Sequence, residues 1–492
     1  MLEPNFSIPT RRALRAGVCT GNMTVLKEVV DGLYAVVLKS RSSHAGADQV
    51  WFQLSAFADH MSAVSGDLWR ELLANNLAGS NVHVDINDTV VVHSSRLLPA
   101  LDELFAEYAR TPERLLEGIA WLVIERFLWA AGEMPSLRFA VGYSELLLKR
   151  AACIDLVDSQ LGLRSAAGWL RDRFNATNRS KLDNFLGGLV WTLRESLAKL
   201  SWIDQESMRE ATLKLSNLKF EALPGGAFFS EHGVADLFRE FDAAVGNVSE
   251  AASFMRYFMR FSQTLRGYLG SDRCERVYRR RFAKSDTKPA EYFYYTNSIR
   301  VSLASIEPPL YSTDGTLAMN YAGLGSYVAR ELSRALDDVG TLVDFQGLTR
   351  TWWGPTKSKE YRDKLACEFD TPSPDDRGVG NTSAGEDVDH RLGLFPHVPA
   401  LETAYRAYKR AVAADVINRV DVLQLPYLED YTDDQVFFLT YCHALGAPAG
   451  DRYARKLCNV PLRNFRPFAE AFRCIDGSPM SPKKKCTFLY SS

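Results

Sequence analysis

This 492-residue chain has no visible signal peptide, because the basic residues of its opening MLEPNFSIPTRRALRAG are not followed by an apolar h-region. It also lacks a membrane-spanning run. The longest apolar stretch, residues 115–131, is broken by Glu117, Glu125 and Arg126 and reads as a buried helix. An excess of one charge is missing too: 58 Lys and Arg against 60 Asp and Glu leave a net charge of −2. That balance gives no reason to expect nucleic acid or an acidic membrane as a partner, and the short Lys483–Lys485 run reads as a solvated tail. No repeat or low-complexity block is present. What remains, 46% hydrophobic and 24% charged residues, is the composition of an ordinary globular protein long enough for two cores.

Residues 1–50 read as mixed, with a β-rich patch at Leu33, Tyr34, Ala35, Val36, Val37 and Leu38. Helical patterns follow over 69–77, 99–109, 112–131, 165–174, 181–200, 206–215 and 233–245, interrupted by a short strand at 89–92. Residues 175–180 read as a polar joint and 223–226 as a turn. Aromatic and β-branched residues at 292–303 predict one or two strands. Residues 326–338 predict a core helix, with Leu324, Tyr327, Val328, Leu332, Ala335 and Leu336 at helical spacing. Gly323 and Gly325 at its entrance admit a neighbouring backbone, and Gly340 is placed to stop it.

On that helix Arg330, Glu331 and Arg334 stand at i, i+1 and i+4, the frame of H-E-x-x-H with arginine at both histidine positions. In H-E-x-x-H two imidazoles one turn apart ligate zinc, and the glutamate activates a metal-bound water. A guanidinium has no acceptor lone pair and stays charged, so it repels a dication. Taken alone, charged residues four apart form a solvated helix face. The flanking residues decide otherwise.

Asn320, Tyr321, Gly323, Gly325, Glu331, Asp337, Asp338 and Gly340 reproduce most of N-Y-G-G-[IL]-G-x-x-[IL]-[GA]-H-E-[IL]-x-H-[AG]-[FL]-D-D-x-G. Leu200-Ser201-Trp202-Ile203-Asp204 and Glu307-Pro308-Pro309 precede it in order. Thr403-Ala404-Tyr405-Arg406-Ala407-Tyr408, Ala471-Phe472-Arg473-Cys474 and Met480-Ser481-Pro482 follow it. By these motifs the chain resembles the neprilysin and endothelin-converting-enzyme family of zinc metallopeptidases over most of residues 65–492. The resemblance implies a mainly α (α+β), two-lobed ectodomain. Its parts are an N-terminal remnant (1–50), an all-helical capping lobe (51–260) that restricts the site to short peptides, and a thermolysin-like lobe (261–492).

The same resemblance assigns site positions. Arg330 and Arg334 occupy the zinc-histidine positions, Glu331 is a vestigial general base, and Asp337 and Asp338 stand behind them. The third ligand falls on Glu386, with His390 at the orienting aspartate. An ungapped match instead puts Gly393 and His397 there. Pro289 replaces the asparagine that holds the substrate backbone, next to Ala290 on the edge strand. Asp451 stands at the histidine that stabilises the tetrahedral intermediate, and Leu457 at the carboxylate-binding arginine. Arg452, Arg455 and Lys456 lie close enough for a small gap to restore a cation there. With the metal gone, Arg330 and Arg334 are expected to pair with Asp337 and Glu386, supplying the charge that zinc supplied.

The expected protein is therefore a catalytically silent, extracellular peptide- or protein-binding member of that family, with no metal or other cofactor bound. It is expected to hold a peptide or protein ligand in a vestigial cleft and to dimerise with itself or with an active relative. The alternative is an active zinc metallopeptidase with an unusual ligand set drawn from Glu331, Glu386, His390 or His397. Seven N-x-[ST] sequons (Asn5, Asn22, Asn87, Asn175, Asn178, Asn247, Asn381) and eight cysteines agree with an extracellular glycoprotein. By the resemblance Cys367 pairs with Cys486, while the family partners of Cys442 and Cys474 lie in an N-terminal segment missing here. Cys19, Cys153, Cys274 and Cys458 receive no role. The chain reads as a shortened ectodomain or a partial gene product.

Overall fold

The computed structural model describes residues 23–40, 50–77, 83–92, 94–127, 162–246, 254–267, 288–337, 339–350, 352–353, 396–418, 428–446 and 451–489, with residues 147, 150–154, 156 and 157 between. Contacts divide the chain into two units that are discontinuous in sequence: Met1–Ser165 with Glu231–Arg281, and Ala166–Ser230 with Phe282–Ser492. Contiguous segments meeting at residue 260 were expected. Instead residues 166–230 join the C-terminal unit, because their helices and strand pack on its central helix and sheet.

The first unit opens with α1 (Met23–Ser40), β1 (Val50–Gln53), α2 (Gly66–Asn76), β2 (Thr89–Val92), α3 (Leu97–Glu107) and α4 (Pro112–Phe127). The β-rich patch expected at 33–38 is helical and lies in α1. Its branched residues are also at helical spacing with Leu26, Val29 and Val30, so one stripe is buried against α3 and α4 while Val37 and Leu38 stay exposed. Packing overrides local β propensity here. The expected strand at 89–92 pairs antiparallel with β1, Val50 opposite Val92. The unit is thus not all-helical, and Phe52, Leu54, Phe57, Met61, Val92 and Leu98 form a core beneath this ribbon.

The second unit begins with α5 (Ala167–Arg173), α6 (Ala176–Leu197), α7 (Gln205–Ser216) and β3 (Lys219–Glu221). Asn175 is not in a joint but caps α6, accepting the Asn178 N–H at 2.9 Å, so this helix begins five residues earlier than its apolar periodicity predicts. The chain passes through the first unit again as α8 (Glu231–Gly246) and α9 (Phe254–Gly267). It returns to the second as β4 (Ala290–Phe293), β5 (Ser298–Val301), α10 (Leu317–Ala322), α11 (Leu324–Arg334), α12 (His397–Asn418), α13 (Asp433–His443), α14 (Arg452–Asn464) and α15 (Arg466–Ala471). The sheet has the order β3-β5-β4, with β3 parallel and β4 antiparallel to the central β5. The segment expected to hold one or two strands holds two.

Buried aromatic rings of Tyr405, Tyr408, Phe437, Phe438 and Phe465 stack and tilt against one another, fastening α12 and α13 to the junction between α14 and α15. The buried Glu402 carboxylate accepts the backbone N–H groups of Phe488 and Leu489 and pins the C-terminal segment. Cys442 is bonded to Cys458, with Cα atoms 5.1 Å apart, which ties α13 to α14. Cys458 was expected to have no role and the partner of Cys442 to lie outside the chain, and this pairing corrects both expectations. Two cysteines sixteen residues apart are joined because neighbouring helices bring them together. Cys486 is disulfide-bonded, and Cys367 lies outside the described residues. Among the described residues, no helix is long and apolar enough to cross a membrane.

Gly323 is where α10 turns into α11. A Cβ there would lie 2.4 Å from the Leu310 carbonyl oxygen, which accepts the Leu324 N–H at 2.8 Å. The close approach expected of this glycine is real, whereas a Cβ at Gly325 would meet only ordinary contacts from 3.4 Å outward. Gly323→Ala is therefore expected to cost about 3 kcal/mol of unfolding free energy, and Gly325→Ala less than about 1 kcal/mol. Urea unfolding of both variants checks this, and equal costs would show that the contact yields freely.

Candidate functional site

Helix α11 carries the site, and most of its surface is buried: Leu324, Val328, Ala329 and Leu332 fill the core on either side of Glu331. Glu331 is 2% exposed, so its charge must be answered within the protein. Three donors answer it. Arg330 Nε lies 3.4 Å from Oε1, Arg334 Nε lies 3.1 Å from Oε2, and the Tyr292 backbone N–H donates to Oε2 at 3.1 Å. The Arg330 guanidinium also lies over the Tyr327 ring, 4.7 Å from its centroid, and the Tyr327 hydroxyl donates to the Ala444 carbonyl at 2.7 Å.

The pairing differs from expectation. Arg330 and Arg334 share Glu331 rather than Asp337 and Glu386. Helix α11 ends at Arg334, four residues earlier than predicted, so Asp337 leaves the helical face. Its Oδ1 accepts the Val339 and Gly340 N–H groups at 3.0 and 2.8 Å, and its Oδ2 accepts the Tyr294 hydroxyl at 2.6 Å. An aspartate that binds its own downstream backbone competes with helix continuation, which explains the early stop. Arg334 stays close enough to feel Asp337 and to bond Tyr294. Burial lowers its pKa, but the charges of Glu331, Tyr294 and Asp337 outweigh that, and the guanidinium is held cationic. Glu386, His390, Gly393 and Asp338 lie outside the described residues.

His397 begins α12, the helix packed most extensively on α11. It is 6% exposed, and among the described residues no hydrogen bond reaches its imidazole. Burial first, then the charges of Arg330 and Arg334, push it well below the ordinary histidine range, so it is neutral at physiological pH. The structure therefore brings His397 to the arginine pair.

The edge strand β4 lies directly over this cluster. Ser302 N–H donates to Pro289 C=O at 3.0 Å, which fixes the pairing phase so that Ala290 and Tyr292 turn their backbone groups away from β5, to the side that pairs with no strand among the described residues. One of those outward groups, the Tyr292 N–H, is taken by Glu331. The other sequence-predicted positions have structural work. Asp451 accepts the Ala454 N–H at 3.1 Å at the start of α14, and Leu457 is buried in the core.

Sequence reasoning missed three residues here. Tyr292 and Tyr294 meet edge to face, 5.1 Å apart, beside Glu331 and Asp337. Their alternation in YFYY was a visible sign that both face one side. Lys214, 1% exposed on α7, donates to the Gly340 and Val343 carbonyls at 2.5 and 2.6 Å. Burial draws it down to about 8 against the pull of Asp337 and Asp344. No local signal marked a lysine on an amphipathic helix as buried. Among the described residues, no group of three His, Cys, Asp or Glu side chains is placed to hold a metal ion.

Two family models, both described as peptidase family M13, match residues 48–222 and 290–488. The chain is 22% identical over 457 residues to human membrane metallo-endopeptidase-like 1, covering 86% of this chain and 55% of that protein. It is 24% identical over 443 residues to neprilysin-2 of Caenorhabditis elegans, covering 83% and 56%. It thus spans little more than half the length of these relatives. The crystal structure of PEPO from Lactobacillus rhamnosis superposes with a TM-score of 0.60 at 17% identity, covering 98% of this chain and 74% of that one, and so shares the fold.

Burial pushes Asp337 up to about 6 from the usual 3.8, against the Tyr294 hydroxyl, the Gly340 N–H and Arg334. A carboxyl raised on folding stabilises fully below its unfolded value and loses that contribution as pH rises through the folded value. Between pH 4 and 6 this costs roughly 2–3 kcal/mol. Urea unfolding of wild type and Asp337→Asn across that window is expected to show the loss in wild type only. Parallel pH profiles for the two proteins would refute the assignment.

Proposed function

The chain belongs to peptidase family M13, and from that premise we propose that it is a catalytically silent member that binds peptides or proteins in an extracellular setting. The observation that carries this reading is the treatment of Glu331. In the zinc-dependent chemistry of this frame, its carboxylate needs a metal-bound water to activate. Here its two oxygens are engaged by Arg330, Arg334 and the Tyr292 N–H.

The residues present do not fit zinc. Neither guanidinium has a lone pair, both carry a permanent positive charge, and among the described residues no group of three His, Cys, Asp or Glu side chains stands beside them to hold a metal ion. No catalytic step through a metal is derived for this chain. Three further substitutions support the reading. Pro289 has no side-chain donor or N–H to hold a peptide backbone. Asp451 puts an anion where a developing oxyanion needs a cation. Leu457 offers no partner to a carboxylate.

What the fold retains is a way to hold a peptide. Strand β4 lies at the edge of the sheet among the described residues, the kind of element on which an extended segment can add, and pairing there would require the buried Ala290 and Tyr292 to be uncovered. Localisation at the cell surface or outside the cell rests on the sequons and the disulfide-bonded cysteines. His397, at the orienting-aspartate position of the ungapped match, feels the charges of Arg330 and Arg334, which supports that placement; Glu386 and Gly393 lie outside the described residues.

The test is metal content and hydrolysis measured on one purified preparation. Substoichiometric zinc and no chelator-sensitive cleavage of a short peptide library are expected; stoichiometric zinc with such cleavage would overturn the proposal. The double variant Arg330→His, Arg334→His is expected to gain metal affinity, read by competition with a chromogenic chelator. It should remain at least about 100-fold below an active relative in kcat, because Asp451 and Pro289 persist. Wild-type-like metal binding in the double variant would show that the arginines are not what excludes the ion.

A further inference from the structure

The segment that leads into α13 gathers charge of one sign around a single phenol. No Lys or Arg stands between Arg419 and Arg452, and within that stretch Glu429, Asp430, Asp433 and Asp434 bracket Tyr431, two on each side and all within three positions. No other of the 20 tyrosines has more than two acidic residues that close. Half of the run has an ordinary structural explanation. Asp433 and Asp434 lie in the first turn of α13, where negative charge suits the helix dipole, and Lys409 holds Asp434 at 3.1 Å. Glu429 and Asp430 precede the cap, so the dipole does not account for them.

The geometry singles out Tyr431 among the hydroxyls nearby. Its side chain is 45% exposed, and among the described residues no hydrogen bond reaches its hydroxyl. Its backbone N–H donates to the Leu428 carbonyl at 3.0 Å, closing an irregular turn in which Leu428, Glu429 and Asp430 are exposed as well. Thr432, by contrast, is engaged. Its Oγ1 accepts the Gln435 N–H at 3.3 Å, and the Gln435 side chain accepts the Thr432 N–H at 2.9 Å, so a group placed on Thr432 would undo the cap of α13. Tyr441, on the same helix, is buried. A group placed on Tyr431 displaces no contact among the described residues and projects from a surface turn, the kind of segment that a modifying enzyme can take into its cleft.

We infer that Tyr431 is a sulfonation site, its phenol oxygen the acceptor and the four flanking carboxylates the feature that a basic tyrosine sulfotransferase reads. This rests on the extracellular setting proposed above, because that class of enzyme meets its substrates in the secretory route; it does not depend on whether the chain is catalytically silent. The Cys442–Cys458 bond at the other end of α13 belongs to the same oxidising setting. The donor is an activated sulfate, a phosphosulfate mixed anhydride. The Tyr431 oxygen attacks its sulfur, and an O–S bond forms as the bridging S–O bond breaks. The nucleotide leaves with that electron pair as a phosphate, and the phenolic proton passes to a base of the transferase. Nothing is oxidised or reduced. The carboxylates steer the segment toward a cationic active site. A tyrosine kinase that reads acidic sequences would leave a phosphate on the same oxygen instead.

The test directs the full chain, behind an added leader peptide, into the secretory route of an animal-cell host. The secreted protein is reduced and cut with trypsin, which releases Val420 to Arg452 as one peptide carrying Tyr427, Tyr431 and Tyr441. Mass spectrometry under conditions that spare the labile ester is expected to find one sulfonate on that peptide, resistant to phosphatase and labelled by radioactive sulfate. Tyr431→Phe is expected to lose it and Tyr427→Phe to keep it. Glu429→Gln together with Asp430→Asn, which spares the first turn of α13, is expected to lower the occupancy severalfold with urea unfolding unchanged. An unmodified Tyr431 in secreted, disulfide-bonded protein would overturn the inference. So would a phosphatase-sensitive group in its place, modification at Tyr427 or Tyr441 instead, or full occupancy after the two acids are neutralised. Fractionation of the source cells keeps the two readings apart. Protein confined to the cytosol sinks the extracellular setting and this inference with it, whereas secreted protein without the ester sinks only the assignment of Tyr431.

Discussion

A carboxylate that is 2% exposed in the middle of a core helix imposes a condition on everything around it. Leaving a charge of this kind unanswered costs several kcal/mol, comparable to the whole stability of a domain. In an H-E-x-x-H helix a metal and its water provide the answer. Here the same helix provides it, from one residue before Glu331 and from three residues after. The arrangement is economical in geometry. Positions 331 and 334 share one face, so the Arg334 side chain folds back onto the carboxylate without leaving the helix surface. Position 330 is sideways to that face, and its guanidinium needs the Tyr327 ring, one turn earlier, as a platform. Two arginines at the histidine positions therefore answer the charge of Glu331 from within α11 itself.

The edge of the sheet is drawn into the same arrangement. Because β4 is antiparallel to β5 in a register that turns Ala290 and Tyr292 outward, Glu331 can reach the strand's free side. The Glu331 carboxylate is thereby joined both to its own helix and to the edge strand, so that α11 and β4 are fixed to one another by a buried charge-assisted hydrogen bond.

Much of this was legible from residue types and spacing. The α11 helix, the close approach at Gly323 and the strand pair near 292–303 follow from periodicity and motif frame, and the structure agrees on these, whereas Gly325 makes only ordinary contacts. The failures have physical causes. The 33–38 run looks β-rich by composition, yet it buries one helical stripe, and burial outweighs propensity. The end of α11 was placed too late because Asp337 was counted on the helical face, whereas its side chain prefers the N–H groups of Val339 and Gly340. Lys214 and the Cys442–Cys458 bond depend on which helices become neighbours, which no local pattern encodes. Family matching put His397 in play only as one of two alternatives, and its burial against the arginines required the packing of α12 on α11.

The charges at the site form one chain of dependence rather than a set of separate pairs. Glu331 holds Arg330 and Arg334; Arg334 meets Tyr294; Tyr294 bonds Asp337; and Asp337 bonds the Gly340 backbone, whose carbonyl accepts Lys214. Each member is buried or partly so, and each is satisfied mainly by the next. Removing one leaves its neighbours with a desolvation cost that its own contacts do not measure, so substitutions along the chain are strongly non-additive. Arg330 and Arg334 share one carboxylate, so replacing either changes the environment of the other through Glu331, and the two substitutions are expected to act as a coupled pair.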